Sequence, residues 1–208
     1  MLAPTIARTS AQMPRNPNPQ GKGTSPVLAT LETQRHTLAH VPPKYVEQVT
    51  TELFTSLFVL DASFRFKPVV GRDYFLYQKD DPQDERFWLG LTPPSMLSTS
   101  VAGRFIGTCV LQRDLTWTLE LAAEVAADAT FEAYLHERRA ALESRLANAR
   151  ALDDVLPHYE RRLSFYRRAS AFGVAHSLGL SMQHSGIGGL SYDEARGLIG
   201  QDTSPRHD

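Results

Sequence analysis

Between residues 64 and 91 the chain alternates short runs of strand-forming residues with turn signals, and this alternation points to an antiparallel sheet. The first run, residues 64–69, alternates aromatic and basic residues. Gly71-Arg72 supplies a turn, and residues 74–79 form the second run. Asp80, Asp81, Asp84 and Glu85 give the next stretch the composition of a hairpin loop. The third run, residues 86–91, ends at Thr92-Pro93-Pro94. Two hairpins in succession predict a meander. Period-two alternation sets Tyr74, Leu76 and Gln78 on one face and Phe75, Tyr77 and Lys79 on the other. Both faces carry aromatic rings, so both need a cover. Residues 103–117, with Phe105, Ile106, Val110 and Leu111, predict a fourth strand or an ordered loop.

Helices flank this block. Val46, Val49, Leu53, Leu57 and Leu60 recur at three- and four-residue steps, which predicts an amphipathic helix starting near Pro43 and stopping near Asp61. Phe131, Leu135, Leu142 and Leu146 predict a second helix, with Asp128 as its cap. A third is expected from about Asp153 or Leu156, with Pro157 in its first turn and a stripe of Leu156, Tyr159, Leu163 and Tyr166. The short link from Ala149 to Asp154 makes the pair a helical hairpin ending at Phe172-Gly173. Gly179, Gly186, Gly188 and Gly189 loosen the next stretch, and Ser191 with Glu194 caps a short last helix through Ala195, Leu198 and Ile199. The expected fold is α+β: a small antiparallel meander of three to four strands, one helix before it, and a helical hairpin plus a short C-terminal helix after it.

With 208 residues, 42% of them hydrophobic, the chain can build one domain with a real core. That domain is expected at 44–201. Residues 1–43 contain Pro4, Pro14, Pro17, Pro19, Pro26, Pro42 and Pro43, and Arg8, Arg15, Lys22 and Arg35 face only Glu32. They read as a disordered, mildly basic arm, and 202–208 as a frayed tail. The net charge of -1 gives no global field toward nucleic acid or membrane. Cys109, the single cysteine, excludes an intrachain disulfide and reads as a buried thiol. No apolar run approaches membrane-span length and the N-terminus lacks a secretory pattern, so a cytoplasmic protein with no membrane partner is expected.

Tyr74, Leu76 and Tyr77, then Phe87 to Pro93, Phe105 and Gly107, and finally Leu111, Gln112, Asp114, Leu115 and Trp117 form three separated elements in a distinctive order. On these residues the chain resembles the family catalogued as domain of unknown function twenty-four fifty-two. The likeness runs over about residues 64–125. It departs from the family at Pro94-Ser95-Met96-Leu97, where members usually carry Trp-Gly. The resemblance implies the order of elements in the middle of the chain. It brings no catalytic residues, because the family has no established activity, and its signature residues are expected to be structural.

Candidate chemistry is sparse. His176 and His184 lie eight apart, so on an unbroken helix they share a face and could converge on a metal or, with Asp114, form an enzyme site. Gly186-Ile187-Gly188-Gly189 invites a phosphate-loop reading but lacks the Lys-Ser/Thr ending and reads better as a turn. The acids of residues 80–85 lack the ligand spacing of a calcium loop. Asp114 is expected to bind backbone N–H groups of the turn before Trp117. Arg161, Arg162, Arg167 and Arg168 have no acidic neighbour beyond Glu160, and with Tyr159 and Tyr166 they could offer a surface to RNA or an acidic partner. Taken together, these residues suggest a non-enzymatic protein-interaction module without cofactor. RNA binding through the four arginines and the arm is the first alternative, and a histidine-based enzyme the second.

Overall fold

A computed structural model describes residues 41–79, 86–149, 155, 163–188, 190, 194 and 195. Helix α1 spans Val46–Leu60 and ends at Asp61. Pro43 stands before the N-cap residue Tyr45 and is not part of the helix. The apolar spacing does what it predicts: Val49, Leu53, Phe58 and Val59 are buried.

The sheet has four antiparallel strands, β1 (Asp73–Gln78), β2 (Phe87–Gly90), β3 (Arg104–Leu111) and β4 (Trp117–Leu121), in the order β2-β1-β3-β4. The fold class is therefore the expected α+β, but the strand order is not that of a sequential meander. Residues 64–69 are not a strand. Only Ser63, just before the run, reaches the sheet, as a single parallel bridge to Trp88 on the outer edge of β2. Its alternation still sorts side chains: Phe64 is buried, Phe66 stacks on Tyr74 at 5.2 Å between centroids, and Arg65 and Lys67 are exposed. A bulge between Leu76 and Tyr77 interrupts the simple alternation of β1.

The new strand order follows from the β2–β3 connection. Residues 91–103 cross one face of the sheet through single turns at Pro94–Met96 and Thr99–Ala102. This crossover is the cover that the second aromatic face requires. The Tyr77 hydroxyl donates to Thr92 O at 2.8 Å, the Trp88 indole donates to Ala102 O at 2.9 Å, and the two rings stack at 4.6 Å. Gly103 closes the crossover at φ +76, where an added Cβ would meet Gln78 O at 2.1 Å.

The opposite face is covered by helices. Helix α2, Ala129–Asn148, starts at the expected cap, with Asp128 accepting from Thr130 N and Phe131 N at 2.9 and 3.3 Å. Phe131 and Tyr134 meet Phe58 and Phe87 in the core. Helix α3 spans Phe165–His184 and packs against α1. It does not stop at Gly173. The helix runs through Gly173 and Gly179 because Val174, Ala175 and Leu178 are buried, and packing outweighs the intrinsic cost of glycine. It ends where Gly186 takes φ +72, with Gly186 N–H donating to Gln183 O and Ile187 N–H to Met182 O. The glycine cluster is thus a helix stop. The expected stripe from Leu156 to Tyr166 is not one continuous helix, because α3 starts at Phe165 with the Ser164 hydroxyl capping it by accepting from Arg167 N–H. Residues 150–154, the expected helix start at 156 and the capping-box serine lie outside the described residues.

Residues 41–43, read from sequence as the end of the arm, belong to the body. Val41 is buried with Leu115 and Leu180, and Pro42 O accepts from the Ser181 hydroxyl at 2.8 Å. The rest of the arm and the tail are outside the described residues.

Candidate functional site

The β3–β4 connection is a tight turn. Gln112 N–H donates to Thr116 O at 2.8 Å, and Leu115 N–H donates to Gln112 O at 3.0 Å. Leu115 takes φ 66, a conformation that costs a side-chain-bearing residue on the order of 1 kcal/mol. Its burial against Val41 offsets that cost. Asp114 Oδ1 accepts from Thr116 Oγ1 at 2.7 Å and from Thr116 N at 3.2 Å, which is the turn role expected of it. Its other oxygen does something the sequence did not indicate: Asp114 Oδ2 accepts from Lys44 Nζ.

Lys44 precedes α1, and its own carbonyl accepts from the hydroxyl of Ser185, the C-cap residue of α3, at 2.7 Å. Its ammonium is shared between Asp114 and Glu52, and Glu52 also accepts from Gln48 at 3.2 Å. The side chain of Lys44 is 3% exposed, against 22% for Glu52 and 17% for Asp114. Burial works against the charge on Lys44, but the bonds to Asp114 and Glu52 outweigh it and hold the ammonium above its ordinary range. For Asp114, burial is likewise outweighed by the bonds from Lys44 and Thr116, which hold the carboxyl below its ordinary range. Lys44 is therefore a locked cation, unsuited to act as a nucleophile, which needs a free amine.

The triad forms the floor of a cleft of about 890 Å³ lined by Pro42, Lys44, Gln48, Glu52, Gln112, Arg113, Asp114, Thr116 and Thr118. Gln112 Nε2 donates to Thr118 Oγ1 at 2.8 Å, fixing one wall. The cleft offers amide, hydroxyl and carboxylate groups and the Arg113 guanidinium, between the start of α1 and the β3–β4 turn.

The other predicted site residues are dispersed. Arg167 is buried, 6% exposed, and donates to Leu60 O at 2.9 Å and Asp61 O at 3.2 Å. It satisfies carbonyls at the C-terminus of α1, so it does not contribute to an RNA surface. Arg168 is half-buried on α3, and Arg161 and Arg162 lie outside the described residues. His176 is exposed and stacks on Phe172 at 6.2 Å, whereas His184 Nδ1 lies 2.9 Å from Val41 O. Neither is among the residues that line the cleft with Asp114. Among the described residues no group of three or more His, Cys, Asp or Glu is placed to hold a metal ion. Cys109 is fully buried, and burial pushes its thiol far above the ordinary range.

Of the residues on which the sequence resemblance was drawn, Gln112 and Asp114 line the cleft, and most of the others make packing or hydrogen-bond contacts. Trp117, 1% exposed, joins three elements: its backbone N–H donates to Ser56 of α1 at 3.0 Å and its indole to Ser170 of α3 at 3.1 Å. The Tyr74 hydroxyl accepts from Val69 N at 2.7 Å and its ring meets Trp117 edge-on. Leu76 and Leu111 are buried, Tyr77 holds the crossover, and Pro93 precedes its first turn. Gly107 has Glu120 O where a Cβ would stand, at 2.2 Å. Sequence reasoning missed Lys44 and Glu52. Gln48 and Glu52, one turn apart on the polar side of α1, were the available signal, but Lys44 and Asp114 are 70 residues apart and no local pattern joins them.

No family model, no curated protein and no solved structure matches this chain.

Proposed function

We propose that this chain is a non-enzymatic protein-interaction module that receives a partner's polypeptide segment in the cleft between α1 and the β3–β4 turn. The observation that supports this reading is the state of the cleft's ionisable groups. Lys44 is held between the Glu52 and Asp114 carboxylates in a tie between elements, and it has no free amine with which to do chemistry. What faces the cleft is a set of amide, hydroxyl and carboxylate groups with the Arg113 guanidinium, which suits the N–H and C=O groups of a peptide backbone. Kinship with the domain of unknown function twenty-four fifty-two family belongs to the same proposal and adds no activity to it.

The test is capture of partners from lysate by tagged full-length protein, with and without nuclease, beside Gln48→Arg and Gln112→Arg variants that narrow the cleft. A nuclease-resistant partner retained by the native protein and lost with both variants agrees with the proposal. Partners that vanish with nuclease would favour RNA binding instead. Partners unaffected by either substitution would move the interaction away from this cleft.

A further inference from the structure

The run 64–72, which failed to become a strand, builds a second surface. Val69 O accepts from Arg72 N–H at 3.4 Å, and Gly71 takes φ +75, so Val70 and Gly71 form the corner of a turn. Two bonds fix this corner to the sheet. Val69 N–H donates to the Tyr74 hydroxyl at 2.7 Å, and Gly71 N–H donates to Leu111 O at 2.9 Å. The second bond sets it beside the β3–β4 turn, where Arg113 is exposed.

The corner presents two apolar side chains to solvent, Val69 at 54% and Val70 at 38% exposure. Arg65, Lys67 and Arg72, in the same segment, are exposed. Among the described residues none of these three, nor Arg113, makes an ion pair. Among the described residues, the acids adjacent to these cations in sequence are Asp73, exposed at the start of β1, and Asp114, already engaged by Lys44. The contrast with the crossover is informative: Leu91, Met96 and Val101 are also exposed there, but the adjacent Arg104 is taken by Asp128.

We propose that this turn docks on an anionic bilayer surface, with Val69 and Val70 entering the headgroup region and Arg65, Lys67, Arg72 and Arg113 facing acidic headgroups. The charge complementarity is direct: Arg65, Lys67 and Arg72 lie in the same segment as the exposed Val69 and Val70, Arg113 lies in the turn beside it, and among the described residues none of the four makes an ion pair. Such a tip gains by leaving water, and each basic group near an anionic surface adds to the attraction. Single-stranded nucleic acid fits less well, because it calls for exposed rings on which bases stack. Here Phe66 is turned inward onto Tyr74, and the tip is aliphatic. No helix among the described residues is long and apolar enough to cross a membrane, so the contact is with the surface. It shares Arg113 with the cleft proposed above, and its other residues lie outside that cleft.

The experiment is vesicle co-sedimentation of the full chain, using phosphatidylcholine alone and phosphatidylcholine mixed with phosphatidylserine, at low and high salt. Binding is expected to the mixed vesicles only and to fall as salt rises. Replacing Arg65, Lys67 and Arg72 together by Gln should weaken binding on the order of a hundredfold, and Arg113→Gln alone about fivefold. Val69→Ser with Val70→Ser should weaken it about tenfold. All these side chains are exposed, and a melting curve for each variant checks that it folds. Absence of binding to the mixed vesicles overturns the proposal. So does binding that none of the variants weakens. Capture by a single-stranded RNA that depends on the cations but ignores the valine substitutions overturns it in favour of a nucleic-acid surface.

Discussion

Replacing Asp114 by Ala removes one side of the tie that holds the β3–β4 turn to the segment before α1. Lys44 loses one of its two carboxylates while its side chain stays 3% exposed, and Thr116 loses the acceptor for both its N–H and its hydroxyl. Removing one partner of a buried ion pair costs about 3–5 kcal/mol. Glu52 remains as a second partner, so the lower end applies, about 3 kcal/mol. For a domain of this size that lowers Tm by about 10 °C. The assay is a double-mutant cycle read by urea denaturation, using Asp114→Ala, Lys44→Met and both together. Once Lys44 is gone, Asp114 has less to hold, so the double variant should be more stable than the sum of the single losses by about 1.5 kcal/mol or more. Additivity within about 0.5 kcal/mol would refute the reasoning, because it would mean that the two side chains do not interact in solution. The pH profile gives a second reading. The Asp114 carboxyl lies below its ordinary range in the folded protein, so its contribution is present above the unfolded pKa and lost as pH falls through the folded one. Lys44 lies above its ordinary range, so its contribution is complete below the unfolded pKa and lost as pH rises through the folded one. The native protein should therefore gain over Asp114→Ala as pH rises out of the acid range, then hold a plateau to the alkaline limit set by Lys44.

Three further outcomes are expected. Gly107→Ala places a Cβ against a backbone carbonyl of β4, Glu120 O at 2.2 Å, and should cost more than about 2 kcal/mol by forcing β3 and β4 apart; a melting temperature equal to that of the native protein would contradict this. Arg167→Met should cost about 2–4 kcal/mol by leaving the carbonyls of Leu60 and Asp61 without their buried donor, whereas a loss below about 0.5 kcal/mol would show that water replaces it. Cys109, buried and with its thiol pushed up, should resist thiol reagents in the native protein and react promptly in urea; rapid native labelling would place it at the surface.

Helix α1, the Asp128 cap and the strand character of residues 74–78 and 87–90 were legible because each depends on neighbours within a few positions. The crossover was not. Nothing local in residues 91–103 says that they pass over Tyr77 and Trp88, although the surplus of aromatic rings on β1 does say that some cover is needed. Gly173 and Gly179 misled for the same reason in reverse: propensity argued for a break, and burial against the rest of the core overrode it. Asp114 was half legible. Its bonds to Thr116 are two residues away, while its bond to Lys44 spans 70 positions.

By itself, the sequence determined the elements whose causes are local: the period of an apolar stripe, a capping carboxylate, and a run of strand formers between turns. Only the tertiary structure decided which strand lies beside which, that Arg167 turns inward, and that Lys44 meets two carboxylates. The physical reason is that ion pairs, strand neighbours and burial depend on distance in space. A chain folded by hydrophobic collapse brings together groups that no periodicity along it relates.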